Sequence, residues 1–214
     1  MSTNKTRRVL TTLLTLAVLF SLFSSAVMAA PPAAPANPVT FSILHTNDFH
    51  GQLEPSGSNP GSARVANYVN TVRTALGAGN VLLVDAGDEM QGSLLSNMTQ
   101  GEATIATYNA MGYQVATFGN HEFDWGQTIL GDRTTQATYP YVTANIVVND
   151  TGNCTTAGWT VPAFASAPYE ILEIGTAPDN VKVGFIGVTT AETPTITIAS
   201  ATARSVSDRF SRLT

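Results

Sequence analysis

The sequence predicts a layered α/β domain behind an export segment, and three observations carry that reading. Apolar runs of strand length alternate with helix-like windows from Val39 onward, the pattern of sheets covered by helices. Three of those runs end directly in carboxylate, imidazole or carboxamide side chains. The first thirty residues have a different composition, with a basic start, an apolar core and small residues at its end.

The export segment covers residues 1–30. Lys5, Arg7 and Arg8 form its basic start, residues 9–23 its apolar core, and Val27-Met28-Ala29-Ala30 a cleavage site, with the cut expected after Ala29 or Ala30. The competing reading is an uncleaved anchor, because residues 9–30 carry no charge. Residues 31–38 form a Pro/Ala linker that is extended and cannot pack. The domain then occupies residues 39–214, close to the commonest domain size.

The predicted strands are residues 40–46, 81–85, 115–118, 141–148, 169–174 and 181–188, and the predicted helices are 63–76, 103–111 and 125–136. The first helix has the clearest periodicity, with Val65, Tyr68, Val69, Val72 and Leu76 on one face. Gly77-Ala78-Gly79-Asn80 ends it. Residues 149–166 read as a loop with a short strand around 159–161. Residues 199–214 are helix-like through Val206, Phe210 and Leu213 but show no closing signal, so the domain is expected to be truncated before its last strands.

The formal net charge is −5, and loss of the three N-terminal cations would make it more negative. A polymeric nucleic-acid partner is therefore not expected, since phosphate attraction needs a basic patch. A small phosphorylated substrate remains open if metal ions supply the positive charge locally. Cys154 is the sole cysteine and has no disulfide mate in the chain. With the export segment cleaved, no stable membrane insertion is expected, and the destination is periplasmic, cell-surface or extracellular. Asn97, Asn149 and Asn153 begin Asn-x-Ser/Thr strings, which accept glycans only where that machinery exists.

The chemistry lies at the three strand ends, which share one edge of an open α/β sheet. The first carries Asp48 and His50 two apart, the second Asp88 after Gly87, and the third Asn120, His121, Glu122 and Asp124. Taken singly, Asp48 reads as a turn starter, Asp88 as a helix cap and Asn120 as a left-handed turn residue. The recurrence after three strands favours a divalent-metal site built from oxygen and nitrogen donors, without thiolate.

Asp48-x-His50, Gly87-Asp88 and Gly119-Asn120-His121-Glu122 resemble the successive signatures of the calcineurin-like metallophosphoesterases. The strings from Leu44 to Gly51, from Asn109 to Tyr113 and from Gly119 to Asp124 are similar to the secreted 5'-nucleotidase and UDP-sugar hydrolase branch, as are Ala144-Asn145-Ile146 and the run from Val181 to Thr190. The resemblance implies an α/β/β/α sandwich and two divalent transition metals, zinc or manganese. It implies that Asp48 and His50 bind one metal, Asp88 bridges both and Asn120 binds the second. His121 would stabilise charge on the phosphate or leaving group, with Asp124 orienting it, and Glu122 would be structural. The implied reaction is hydrolysis of 5'-nucleotides or related phosphate esters.

The sequence departs from the family in one respect. Its histidines are His45, His50 and His121, with none after His121, whereas the family completes its sites with later histidines, including a Gly-His-x-His string. The nucleoside-binding C-terminal domain is likewise not in the chain, so substrate-binding residues are unassigned. Two alternatives therefore stand beside the hydrolase: a non-catalytic remnant or weak single-metal module, and a related two-metal hydrolase acting on cyclic nucleotides or another ester. An exposed sheet edge and face are expected to make residues 31–214 poorly soluble in isolation.

Overall fold

The computed structural model describes residues 38–147, 160–175 and 177–197. These all belong to one unit, residues 35–214. The export segment, nearly all of the linker, Cys154, Asn149, Asn153 and the terminal helix-like stretch lie outside the described residues.

A four-stranded parallel sheet organises the domain, in the order β1 (Ser42–Thr46), β2 (Val81–Asp85), β3 (Val115–Thr117), β4 (Tyr141–Val142). Helices α1 (Ser62–Leu76), α2 (Leu94–Met98), α3 (Glu102–Met111) and α4 (Gly126–Gln136) fill the connections. β2 reads Val-Leu-Leu-Val-Asp and is buried at every position, as a parallel strand covered on both faces must be. Its alternation separates two cores: Leu83 faces the helices with Ala116 and Tyr141, and Val84 faces the other side with Val115 and Val142.

The helical side is rich in aromatic packing. Phe118 stacks on Tyr141 at 5.1 Å and meets Phe164 edge-to-face at 5.3 Å, while Tyr108 stacks on Tyr113 at 3.9 Å. The α1 stripe is narrower than its periodicity predicts. Val65, Ala66 and Val69 reach the core, but Tyr68 and Leu76 lie at its margin and are exposed. The predicted stop is present: Gly77 has φ +84°, and Asn80 Nδ2 donates to the Leu76 carbonyl at 2.8 Å.

On the opposite face lies an antiparallel hairpin, β5 (Tyr169–Ile174) with β6 (Val181–Ile186). Leu172 and Phe185 from the hairpin pack against Val84, Val115 and Val142, which makes the second β layer. A short helix, α5 (Thr193–Ile196), follows.

Four predicted strands are shorter in the structure: β1 begins at Ser42, β3 ends at Thr117, and β4 and β6 end early. β4 stops at Val142 because polar side chains draw the next residues out of the ladder: Thr143 Oγ1 accepts from Ile146 N at 3.1 Å, and Asn145 pairs with Thr189 in both directions. β6 stops at Ile186 because Gly187 crosses against β4, so close that a Cβ there would fall 1.9 Å from the Val142 carbonyl oxygen. The short α2 was not predicted, and the α/β class with its parallel sheet agrees with expectation.

Candidate metal centre

The β1–β2 ladder does not end with the strands. Ala86 N donates to the Thr46 carbonyl at 2.8 Å, Asp48 N to Gly87 O at 3.0 Å, His50 N to Asp88 O at 2.9 Å and Gly51 N to Glu89 O at 2.8 Å. The two strand-end loops are thus zipped together at the shared edge. The zipper requires unusual backbone: Asp48, His50 and Asp88 have φ of 49°, 50° and 57°. Left-handed non-glycine residues cost about 1–3 kcal/mol each and cluster at functional sites.

The third loop is locked onto the second by close backbone approach. A Cβ on Gly87 (φ +96°) would meet Gly119 N at 2.4 Å, so no side chain fits there. Glu122 completes the lock. Its fully buried carboxylate accepts from Gly119 N at 2.6 Å, Asp88 N at 2.8 Å and Glu89 N at 3.0 Å. Burial, with the Asp88 charge adding, pushes this carboxyl up to about 7 against the pull of those hydrogen bonds. Asp88 Oδ1 in turn accepts from His121 N at 2.8 Å.

These contacts bring His50, Asp88 and His121 together, with one ligand atom from each within 4.8 Å of the others. The two imidazole rings meet edge-to-face at 5.0 Å. Each ring has its Nδ1 engaged: His50 Nδ1 lies 2.7 Å from the Gln91 carbonyl oxygen, and His121 Nδ1 lies 2.7 Å from Asp124 Oδ2. A carbonyl only accepts, so His50 Nδ1 carries the proton and its Nε2 lone pair is free for a metal. Partners of this kind are what metal-binding histidines have behind them, and an N/N/O donor set suits a divalent metal ion. The residues therefore fit the metal that the fold implies.

Asp124 is held on its other side as well, by Thr197 Oγ1 donating to Oδ1 at 3.0 Å. Burial lowers the His121 proton affinity, but the hydrogen bond and charge of Asp124, with Asp88 and Glu122 beyond, outweigh it and raise the group above 6.5. Behind the site lies a second carboxylate layer. Asp85 accepts from Thr46 Oγ1 at 2.5 Å and from the Tyr108 hydroxyl at 3.1 Å, and Glu89 accepts from the Tyr141 hydroxyl.

The remaining predicted site residues lie on the same loops. Asp48 stands outside the 4.8 Å group, and its Oδ2 accepts from Asn47 Nδ2 at 2.6 Å. Asn120 precedes the 3-10 turn His121–Phe123 with φ −78°, a right-handed conformation rather than a left-handed turn. The Asn97 amide bonds both the N–H and the carbonyl of Gly92, at 2.9 and 3.1 Å, and so braces the loop after Asp88.

Sequence reasoning assigned Glu122 a structural role without finding its partners. The available signal was its spacing: a glutamate reaching back three residues to the Gly119 N–H repeats the geometry of a capping box. Thr197 and the Asn145–Thr189 pair carried no local signal, because their partners are 73 and 44 residues away.

Comparison with known proteins agrees with this geometry. The chain is 32% identical over 166 residues to the snake venom 5'-nucleotidase of Gloydius brevicauda, covering 72% of this chain and 26% of that protein. It is 35% identical over 185 residues to the cell wall protein Lmo0130 of Listeria monocytogenes, covering 76% and 23%. It superposes on the crystal structure of a 5'-nucleotidase precursor from Thermus thermophilus with a TM-score of 0.55 and 33% identity, covering 71% and 29%. The chain thus spans about a quarter of the length of these relatives. Residues 41–181, which contain all three strand-end motifs, match the calcineurin-like phosphoesterase family, and the chain belongs to that family.

Proposed function

We propose that the native gene product hydrolyses phosphate esters of the 5'-nucleotide class outside the cytoplasm, using two zinc or manganese ions. The observation that carries this reading is the meeting of His50, Asp88 and His121 at the edge where the three motif loops are locked together. In this proposal Asp48 and His50 hold one ion, Asp88 serves both and Asn120 holds the second. When bound, such ions supply an activated water and a clamp on the phosphoryl oxygens. His121 donates from Nε2 toward charge developing on the phosphate or leaving group, while Asp124, fixed by Thr197, keeps the ring oriented. Glu122 holds Asp88 and the third loop in register.

The address follows from residues 1–30 as an export signal and 31–38 as a linker. The names of the snake venom and cell wall relatives accord with it, and among the described residues no helix is long and apolar enough to cross a membrane.

The test is phosphate release from AMP by the native gene product, with and without a chelator. Metal-dependent release that falls by about 10²-fold or more in His121→Asn supports the proposal. Release insensitive to chelation, or full activity of the variant, overturns it.

A further inference from the structure

We infer that Asn97 is a positioning residue for His50: its amide grips the peptide groups on both sides of Gly92, and through them holds the imidazole in the tautomer that leaves Nε2 unprotonated. The use of that nitrogen toward a metal rests on the proposed function. The tautomer itself belongs to the chain without metal.

Asn97 lies near the end of α2 and reaches back five residues to Gly92. Gly92 N donates to Asn97 Oδ1 at 2.9 Å, and Asn97 Nδ2 donates to Gly92 O at 3.1 Å. The opposite edge of the same short segment is taken by His50. Its Nδ1 donates to Gln91 O at 2.7 Å, and its carbonyl accepts from Ser93 N at 2.8 Å.

The two sets of bonds are coupled by the geometry of the peptide group, which is planar and, when trans, points its N–H and C=O in opposite directions. Gln91 O and Gly92 N–H belong to one such group. An acceptor that fixes the N–H therefore fixes the carbonyl that receives the His50 proton. Gly92 O and Ser93 N–H belong to the next group and are held in the same way. The Asn97 amide and His50 thus face each other across a strip of two peptide groups, with a hydrogen bond at each of its four corners.

Gly92 makes the strip possible. With φ +149°, a Cβ there would lie 2.6 Å from the His50 carbonyl oxygen and 2.7 Å from His50 Cβ. The same glycine leaves both peptide groups free to rotate, and the Asn97 amide removes that freedom. Its own position is set by α2, where Asn97 N donates to Ser93 O at 2.9 Å and Ser96 Oγ donates to Met90 O at 2.6 Å. If the Gln91 carbonyl turns away, the neutral ring is released to carry its proton on Nε2, where it then has no lone pair to offer.

The experiment is a long-range proton–nitrogen correlation spectrum of the imidazoles in the isotope-labelled 214-residue chain, with EDTA present and at a pH where the rings are neutral. His50 should appear as the Nδ1–H form in the native chain, and Asn97→Ala should bring in the Nε2–H form. Leu94→Ala, an exposed position on the same helix, should change nothing. Circular dichroism checks folding. If Asn97→Ala is not folded, Asn97→Asp carries the test, because it sets a carboxylate oxygen against Gly92 O and should release the strip in the same direction. Zinc calorimetry without EDTA is the second readout, with affinity expected to fall about tenfold in the Asn97 variant. A folded Asn97 variant that keeps His50 wholly as Nδ1–H overturns the inference. So does an Nε2–H ring in the native chain, an equal change in Leu94→Ala, or an altered tautomer with unchanged zinc affinity. A native chain that binds no zinc defeats the metal reading of the proposed function, and the tautomer result then decides the role of Asn97 by itself.

Discussion

The two faces of the parallel sheet are built differently. The helical face buries a continuous aromatic core, with Tyr108, Phe118, Phe123 and Tyr141 almost wholly removed from water. Among the described residues the hairpin face joins Val84, Val115 and Val142 to Leu172 and Phe185, and Ile43 on β1 is 44% exposed. The outer surface of the hairpin likewise presents Tyr169, Ile171 and Ile186. The difference shows which side holds the site. Phe118 and Phe123 flank the third motif loop, Phe49 lies inside the first, and all three belong to the helical core.

The largest test of that asymmetry is a pair of truncations. Phe118→Ala should destabilise the chain by about 3–5 kcal/mol, as loss of a fully buried aromatic ring does, and Leu172→Ala by about 1–2 kcal/mol, because it is only partly buried. Equal losses in urea unfolding would mean that the hairpin face carries as much of the stability as the helical one.

A smaller effect separates the site from the core beneath it. Glu122→Gln keeps the volume but turns an amide N–H₂ toward at least one of three backbone donors, and should cost about 1–3 kcal/mol. Amide exchange checks its location: protection should fall at Asp88, Glu89 and Gly119 while Leu83 in β2 stays protected. Uniform loss across the sheet would show that Glu122 acts on the whole domain rather than on the lock between the loops.

The smallest effect concerns the carboxylates behind the site. Burial raises the Asp85 carboxyl from its ordinary 3.8 to about 6, although Thr46, Gly87 and Tyr108 donate to it. The folded chain therefore holds this proton more tightly than the unfolded chain. Its contribution to stability is complete below about pH 3.8 and is lost as pH rises through about 6. Burial also raises Glu89, with Glu122 and Asp85 adding to the effect, in the same direction. The melting temperature of the metal-free chain should consequently carry a falling component between pH 4 and 6, and Asp85→Asn should make that slope shallower. An unchanged slope would remove Asp85 from the account.

Much of the fold was legible because its signals are local. β2 declares itself as an unbroken apolar run, α1 by period and by the glycine after it, and the motif loops by charged residues directly following apolar ones. The shortened β4 and β6 were not legible, because they end through contacts between distant segments: Asn145 with Thr189, and Gly187 with Val142. Nor was the exposure of Tyr68 and Leu76, since periodicity gives the direction of a helix face but not how far the neighbouring elements extend over it.

The sequence by itself determined the family, the placement of the motifs at the ends of successive strands and the chemical types of the donors, because each is written in short runs of adjacent residues. The tertiary structure alone decided which donors meet. His50 and His121 are 71 positions apart, and their rings come within 5.0 Å through the left-handed backbone at His50 and Asp88 and the three hydrogen bonds collected by Glu122. Their free Nε2 atoms likewise depend on the Gln91 carbonyl and on Asp124 held by Thr197. Such selection rests on angles and distances between loops, and residue order does not specify these until the sheet has brought the strand ends to one edge.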